Sequence, residues 1–330
     1  MKRFASIILV VLLLLTALSG CHQGDKADKV QDKKISIVCT IFPPYDWVRQ
    51  ILGDQADDMD LTLLLNNRVD LHSYQPSVED IVKISTCDLF IYVGGESDQW
   101  VETMLKEPSN TSRVVINFLD TLGNTAKTEE PLEGMQEEEH EDEAKDEAKK
   151  ETEYDEHVWL SLKNAKTFCS VIAGALSSLD PDHAGEYKNN ADAYTMKLSD
   201  LDAEYNTVIE ASPVKTLLFG DRFPFRYLTD DYGLTPYAAF PGCSAETEAS
   251  FDTVIGLAKK VDELNLNTIM VTESSDQSIA RTILNSTQNK NQQILVLNSM
   301  QSVTLGDVRN GTTYHTIMES NLNVLKEALK

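Results

Sequence analysis

The sequence predicts an α/β fold: two similar α/β lobes with central, mostly parallel sheets, joined by one long backbone helix and leaving a cleft between them. Three observations predict it. Short apolar strands alternate with helical patterns over residues 35–182, and the alternation returns over 213–330. Between them, Ala184 to Ile209 carries one continuous helical pattern through Tyr187, Ala191, Tyr194, Leu198, Leu201, Tyr205 and Ile209. At about 1.5 Å per residue it would reach about 39 Å, the width of a two-lobed molecule, so residues 183–212 are the expected link. A long surface helix within one domain is the alternative.

In the first lobe, Ile35, Ile37 and Val38 mark a strand over Lys34–Thr40 that ends at Phe42-Pro43-Pro44. Tyr45, Val48, Ile51 and Leu52 follow at helical spacing and stop at Gly53. Asp60–Leu65 is a second strand, running into a turn-rich loop that ends at His72. Ser77 with Asp80 three residues on is a capping-box variant for a helix carrying Val78, Ile81, Val82 and Ile84. Leu89–Val93 is a strand closed by Gly94-Gly95, Trp100–Leu105 a helix and Arg113–Asn117 a strand. After Ser161–Leu179, a helix, Asp180-Pro181-Asp182 breaks the pattern before the long helix. The second lobe reads as strand Thr216–Gly220, helix Phe223–Asp231, helix Phe251–Leu264, strand Thr268–Thr272, helix Ser278–Ser286, strand Ile294–Leu297 and a terminal helix Thr313–Leu329.

One stretch resists burial. From Glu129 to Glu156 there are fifteen Asp or Glu against three Lys, half of the chain's net charge of −24. Such a run cannot bury enough apolar surface to offset its own ordering, so residues 124–156 are expected to form a mobile surface loop. The run stops at Glu156-His157-Val158-Trp159-Leu160, where mobile carboxylates would lead a cation from solvent to a fixed imidazole. An acidic linker that only keeps the chain in solution is the alternative.

The 330 residues, 42% hydrophobic and 25% charged, suffice for packed cores. A net charge of −24 argues against nucleic acid and favours cations over anions. Lys2-Arg3, the apolar run Ile7–Leu15 and Leu18-Ser19-Gly20-Cys21 read as an export signal over residues 1–20, too short to span a bilayer. The Leu-Ser-Gly-Cys ending resembles a bacterial lipobox. It implies a lipid on Cys21, a tether over 21–34 and a protein anchored to the outer face of the cell membrane. An ordinary secretory signal with a chance cysteine is the alternative. Cys39, Cys87, Cys169 and Cys243 show no Cys-x-x-Cys spacing, so no zinc-ribbon or thioredoxin-type signal. A disulfide is permitted outside the cell, while Cys39 and Cys87, in or beside predicted strands, read most simply as buried small hydrophobes.

Imidazoles and carboxylates are the ligands of zinc and its neighbours. His22 lies in the tether, His140 in the acidic loop, His183 at the start of the long helix and His315 in the terminal helix, all read as structural or solvated. His72 and His157 remain, each at a loop exit of the first lobe. They are expected to bind one divalent transition metal together at the ends of neighbouring strands.

Thr40-Ile41-Phe42-Pro43-Pro44-Tyr45-Asp46, Val69-Asp70-Leu71-His72-Ser73-Tyr74-Gln75-Pro76 and Asp155-Glu156-His157-Val158-Trp159-Leu160 resemble motifs of the zinc- and manganese-binding solute receptors of ABC importers. Tyr232-Gly233-Leu234 and Ser244-Ala245-Glu246-Thr247-Glu248-Ala249-Ser250 fall in the same register, so the likeness covers Ile35 to Lys330. The resemblance implies two α/β lobes with Zn2+ or Mn2+ between them, bound as transported ligand by His72 and His157. It also implies a permease in the cytoplasmic membrane as partner, a monomeric receptor and no catalysis. The family's third and fourth ligand positions fall on Arg222 and Asn298. Arginine stays protonated and cannot ligate, and an amide oxygen ligates weakly. Asp221 and Glu273 are therefore expected to complete the site, with an ion pair between Glu273 and Arg222 as the alternative. No His-Glu-x-x-His or Gly-x-Ser-x-Gly occurs, which argues against a hydrolase. A surface adhesin, a metal buffer, or a receptor whose cargo has changed with its second-lobe residues are the other readings.

Overall fold

The computed structural model describes residues 34–68, 71–106, 109–136, 153–243 and 248–330. The expected signal peptide, Cys21, most of the tether, His22, His140 and the acidic stretch 137–152 lie outside the described residues. Two four-stranded parallel sheets organise the chain. The first contains β1 (Ser36–Cys39), β2 (Asp60–Leu63), β3 (Leu89–Tyr92) and β4 (Val114–Asn117) in the order β2-β1-β3-β4. The second contains β5 (Thr216–Phe223), β6 (Thr235–Pro241), β7 (Thr268–Thr272) and β8 (Gln293–Leu297) in the order β6-β5-β7-β8. The two orders are the same, so the lobes repeat one topology although their sequences show no repeat.

The helices of the first lobe are α1 (Phe42–Leu52), α2 (Val78–Thr86), α3 (Gln99–Leu105), α4 (Phe118–Leu122) and α5 (Leu162–Leu179). The long helix α6 runs Ala184–Ala211. Then come α7 (Arg226–Asp231), α8 (Phe251–Glu263), α9 (Ser278–Ser286), α10 (Leu305–Arg309) and α11 (Tyr314–Ala328). Ser77 and Asp80 form the expected capping box at the start of α2. Pro43 and Pro44 open α1, where a missing N–H costs nothing.

Sequence periodicity missed β6 and the last turn of β5. Thr235–Pro241 carries a proline at each end of a short apolar run, which reads as a loop. Proline is tolerated here because β6 is an edge strand. In β5 the polar pair Asp221-Arg222 hid a strand that continues to Phe223 through a register shift between Phe219 and Arg222. The short helices α4 and α10 were also absent from the sequence reading.

One apolar core runs through both lobes. Trp47 of α1 is fully buried with ring centroids 5.8 Å from Phe118, 5.8 Å from Phe168 and 5.0 Å from Tyr314. The terminal helix thus returns from the second lobe to pack on α1 and α6. Its first N–H, from Tyr314, is taken by the buried Asp46 carboxylate at 2.9 Å, while the Tyr314 hydroxyl donates to the Trp159 carbonyl at 2.7 Å. The Trp159 indole N–H reaches the Ser299 carbonyl at 2.9 Å. These bonds satisfy polar groups inside an apolar joint, where an unpaired one would cost about 1–3 kcal/mol.

The flanks of the acidic segment depart from the expected mobile loop. Residues 124–136 and 153–156 are held down. Thr128 pairs with Tyr154 in an antiparallel bridge, and Glu129 N–H donates to the Glu153 carbonyl at 3.0 Å. Lys127 N–H donates to the Tyr227 hydroxyl at 2.9 Å, and Gln136 N–H to the Ala239 carbonyl of β6 at 3.0 Å. Composition was misleading because these few residues are ordered by pairing of the two flanks, by bonds to Tyr227 and Ala239, and by Ala126, Leu132 and Met135, which pack on the core.

Replacing Trp47 by Ala should remove about 3–5 kcal/mol of stability, since three aromatic neighbours from both ends of the chain would line the cavity. Urea denaturation of the purified variant, followed by tyrosine fluorescence and circular dichroism, checks it; a loss below about 1 kcal/mol would mean the joint does not depend on this ring.

Candidate metal centre

His72 follows β2, on a single 3₁₀ turn Leu71–Ser73. His157 does not lie at a strand end as expected. It precedes the 3₁₀ turn Val158–Leu160 that leads into α5, and β2 and β4 form opposite edges of their sheet. What joins the two histidines is the burial of Asp155-Glu156-His157-Val158-Trp159-Leu160, in which no residue is more than 1% exposed.

The two rings meet through their Nε2 atoms, 3.4 Å apart. On the far side of His157, Nδ1 lies 3.1 Å from the Asp155 carboxylate, whose same oxygen also accepts the His157 main-chain N–H at 2.9 Å. A carboxylate can only accept, so Nδ1 carries the proton and Nε2 the lone pair. On the far side of His72, Nδ1 lies 2.6 Å from the Ser97 hydroxyl and 3.6 Å from Glu156 Oε2. The Ser97 hydroxyl can donate or accept, while the Glu156 carboxylate favours the same tautomer, which leaves a lone pair on each of the two neighbouring Nε2 atoms. Tetrahedral zinc with bonds of about 2.0–2.1 Å to nitrogen sets its nitrogen ligands about 3.3–3.4 Å apart, the spacing found here.

Glu156 is placed by backbone. Its Oε1 accepts the Ser97 N–H at 2.8 Å, while Oε2 is buried without a hydrogen-bond partner. Gly95, at φ +87°, makes the room: a Cβ there would stand 2.4 Å from Glu156 Oε1. The preceding turn is fixed by Asp98, whose carboxylate accepts the Val93 and Gly94 N–H groups.

The electrostatics favour a cation. Burial pushes the Glu156 carboxyl up to about 7, with the Ser97 hydrogen bonds pulling the other way. Burial also raises Glu129, reinforced by the Asp155 charge. For His157, burial of the ring opposes protonation. Asp155, then Glu129 and Glu156, outweigh it and hold the imidazole above its ordinary pKa. Burial and the neighbouring negative charge thus disfavour the ionised forms of Glu156 and Glu129 and favour a cation between them, as a bound divalent ion would supply.

Asp221 and Glu273 are not brought to the histidines. Among the described residues, the ligand-type side chains whose atoms all lie within 4.8 Å of one another are His72, His157 and Cys243. Asp221 accepts the Arg222 N–H at 2.8 Å and both the N–H and hydroxyl of Thr272, at 2.9 and 2.7 Å, tying β5 to β7. Glu273 holds the loop after β8, accepting the N–H groups of Ser299 and Gln301 at 2.7 and 3.1 Å and the Ser299 hydroxyl. Their oxygens are engaged by backbone. Glu273 and Asn298 line a separate polar cavity of about 360 Å³ with Arg68 and Asp307. His183 bonds Asp180 at 2.8 Å and His315 faces Glu319 at 3.4 Å, both away from this centre. Cys243 was the residue the sequence reading missed. A single cysteine in Phe240-Pro241-Gly242-Cys243 carries no spacing signal.

A family profile described as the zinc-uptake complex component A, periplasmic, matches residues 37–328. The chain belongs to this family. Its members are solute receptors of zinc uptake systems, not enzymes. The high-affinity zinc uptake system protein ZnuA of Bacillus subtilis is 31% identical over 323 residues, which is 98% of this chain and 96% of that protein. The zinc-binding lipoprotein AdcA of Streptococcus pneumoniae is 30% identical over 99% of this chain, which spans only 61% of that relative's length. Among solved structures, the Zn(II)-bound ZnuA-like domain of Streptococcus pneumoniae AdcA superposes with a TM-score of 0.69 at 28% identity, covering 90% of this chain and 99% of that one.

Gly95→Ala should destabilise the protein by about 1–3 kcal/mol, since it adds backbone strain and drives a Cβ into a buried carboxylate. A thermal melt or denaturant curve checks the sign and size; a neutral result would show that Glu156 can leave His72 freely.

Proposed function

We propose that this chain is an extracytoplasmic receptor that captures a divalent transition metal, zinc in preference to manganese, and hands it to an ABC permease. The observation that carries this reading is the pair of Nε2 atoms 3.4 Å apart, each on a ring whose other nitrogen faces an orienting partner. A carboxylate behind an imidazole fixes its tautomer and strengthens it as a ligand, the arrangement expected of a metal centre. A merely structural pair of buried histidines has no use for two neighbouring lone pairs. The zinc uptake and zinc-binding relatives support the same cargo. Residues 1–34 are proposed to export and tether the receptor, with a lipid on Cys21. The mature chain is proposed to act as a monomer.

Isothermal titration of the full chain with zinc tests the reading. His72→Ala and His157→Ala should each weaken binding by about a hundredfold or more, ~2.7 kcal/mol. Asp155→Asn should weaken it about 10–100-fold by loosening the His157 ring. Binding should also fall as the pH drops. A ligating imidazole must be neutral, and His157 titrates above its ordinary 6.5, so protons begin to compete above that value and displace the ion below it. If both alanine variants bind zinc as tightly as the parent, the reading is wrong.

The anchor has its own test. Cys21→Ser should leave the folded receptor in the soluble fraction of broken cells, because the lipid supplies the hydrophobic attachment. Retention in the membrane pellet after precursor is removed would contradict it.

A further inference from the structure

We propose that Cys243 is the metal ligand supplied by the second lobe, giving a centre of two imidazoles and one thiolate. The inference rests on the receptor reading above and concerns which atoms complete its site. Asp221 and Glu273 are engaged by backbone N–H groups, leaving the cysteine as the second-lobe donor in the cluster. Its Sγ lies within 4.8 Å of a ring nitrogen of each of His72 and His157. Tetrahedral zinc, with a bond of about 2.3 Å to sulfur, asks for a nitrogen–sulfur spacing of about 3.6 Å, so a small approach suffices.

Topology places the thiol where a ligand belongs. Cys243 stands two residues beyond β6, the edge strand of the second sheet, and His72 follows β2, the matching edge strand of the first. Loops beyond the carboxyl ends of parallel strands are where such sheets bind ligands. The backbone around the thiol is held against the first lobe on two sides. Cys243 N–H donates to Glu129 Oε1 at 3.2 Å. Gly242 sits so close to the imidazole that a Cβ on it would lie 2.9 Å from His157 Cε1 and 2.8 Å from the Phe223 carbonyl. The other cysteines of the described residues, Cys39, Cys87 and Cys169, are buried; Cys243 alone among them is partly accessible.

A thiolate beside imidazoles selects soft and borderline ions, so zinc, cadmium and cobalt(II) should load well and manganese poorly. On loading, the thiol gives its proton to solvent and its sulfur bonds the ion; nothing is oxidised or reduced.

Cobalt(II) is the probe, added to the full chain carrying Cys21→Ser so that the anchor thiol is absent. Thiolate-to-cobalt charge-transfer absorption should appear on titration, vanish on adding zinc, and persist in excess manganese. Cys243→Ser should abolish that absorption and weaken zinc binding about tenfold or more. A second readout needs no substitution at the site: zinc should protect the accessible thiol from alkylation by a maleimide. Cobalt binding without the charge-transfer absorption, or absorption that survives Cys243→Ser, overturns the thiolate and leaves the receptor reading standing. An alkylation rate unchanged by bound zinc does the same. If the chain binds neither cobalt nor zinc, both readings fall together.

Discussion

The structure depends on burying a segment that carries charge. Asp155, Glu156 and His157 are sealed within one core together with Val158, Trp159 and Leu160, between the two sheets' helices. Charged groups are removed from water only where partners replace it. Here the replacements come from every direction. Asp155 takes the His157 main-chain and ring N–H groups, its carbonyl takes the Tyr227 hydroxyl, and Glu156 takes the Ser97 N–H. Trp159 reaches across to Ser299 and receives Tyr314. The same bonds that make burial tolerable also fix the His157 ring to a single orientation. Stability and ligand geometry are therefore properties of one network.

Much of this fold was legible because its strands and helices are short, apolar and separated by clear breaks. Gly94-Gly95, Asp180-Pro181-Asp182 and the Ser77–Asp80 cap each mark a boundary through local chemistry, and local chemistry is what a sequence displays. What escaped was set by distant contacts. β6 is a strand because β5 offers it a partner, despite Pro236 and Pro241. The acidic flank 126–136 is ordered by Tyr227 and Ala239, about a hundred residues away.

The site divides in the same way. His72 and His157 could be picked out by elimination, since His22 falls in the tether, His140 in the acidic stretch, His183 at the start of the long helix and His315 in the terminal helix. Asp221 and Glu273 looked like ligands because each is a carboxylate near the carboxyl end of a strand. That position is also where unpaired main-chain N–H groups collect, and these took the oxygens first. Cys243 gave no signal, because its proximity to the histidines comes from the packing of Gly242 against an imidazole in the other lobe.

That packing gives the two-lobed plan a physical consequence. The first lobe carries both imidazoles and the carboxylates behind them, so two of the three ligands of the proposed centre are held within one lobe. The second lobe reaches it through residues 242–243 and through the strand-like flank it clasps, which carries Glu129. An ion bound by groups from both lobes has higher affinity for the seated arrangement than for any in which the lobes separate. Its binding energy favours seating by that difference and no more. If the ion binds as proposed, the first-lobe ligands are already held, and most of the difference would rest on the short Gly242-Cys243 turn. The glycine has to be small for that turn to lie against His157 at all.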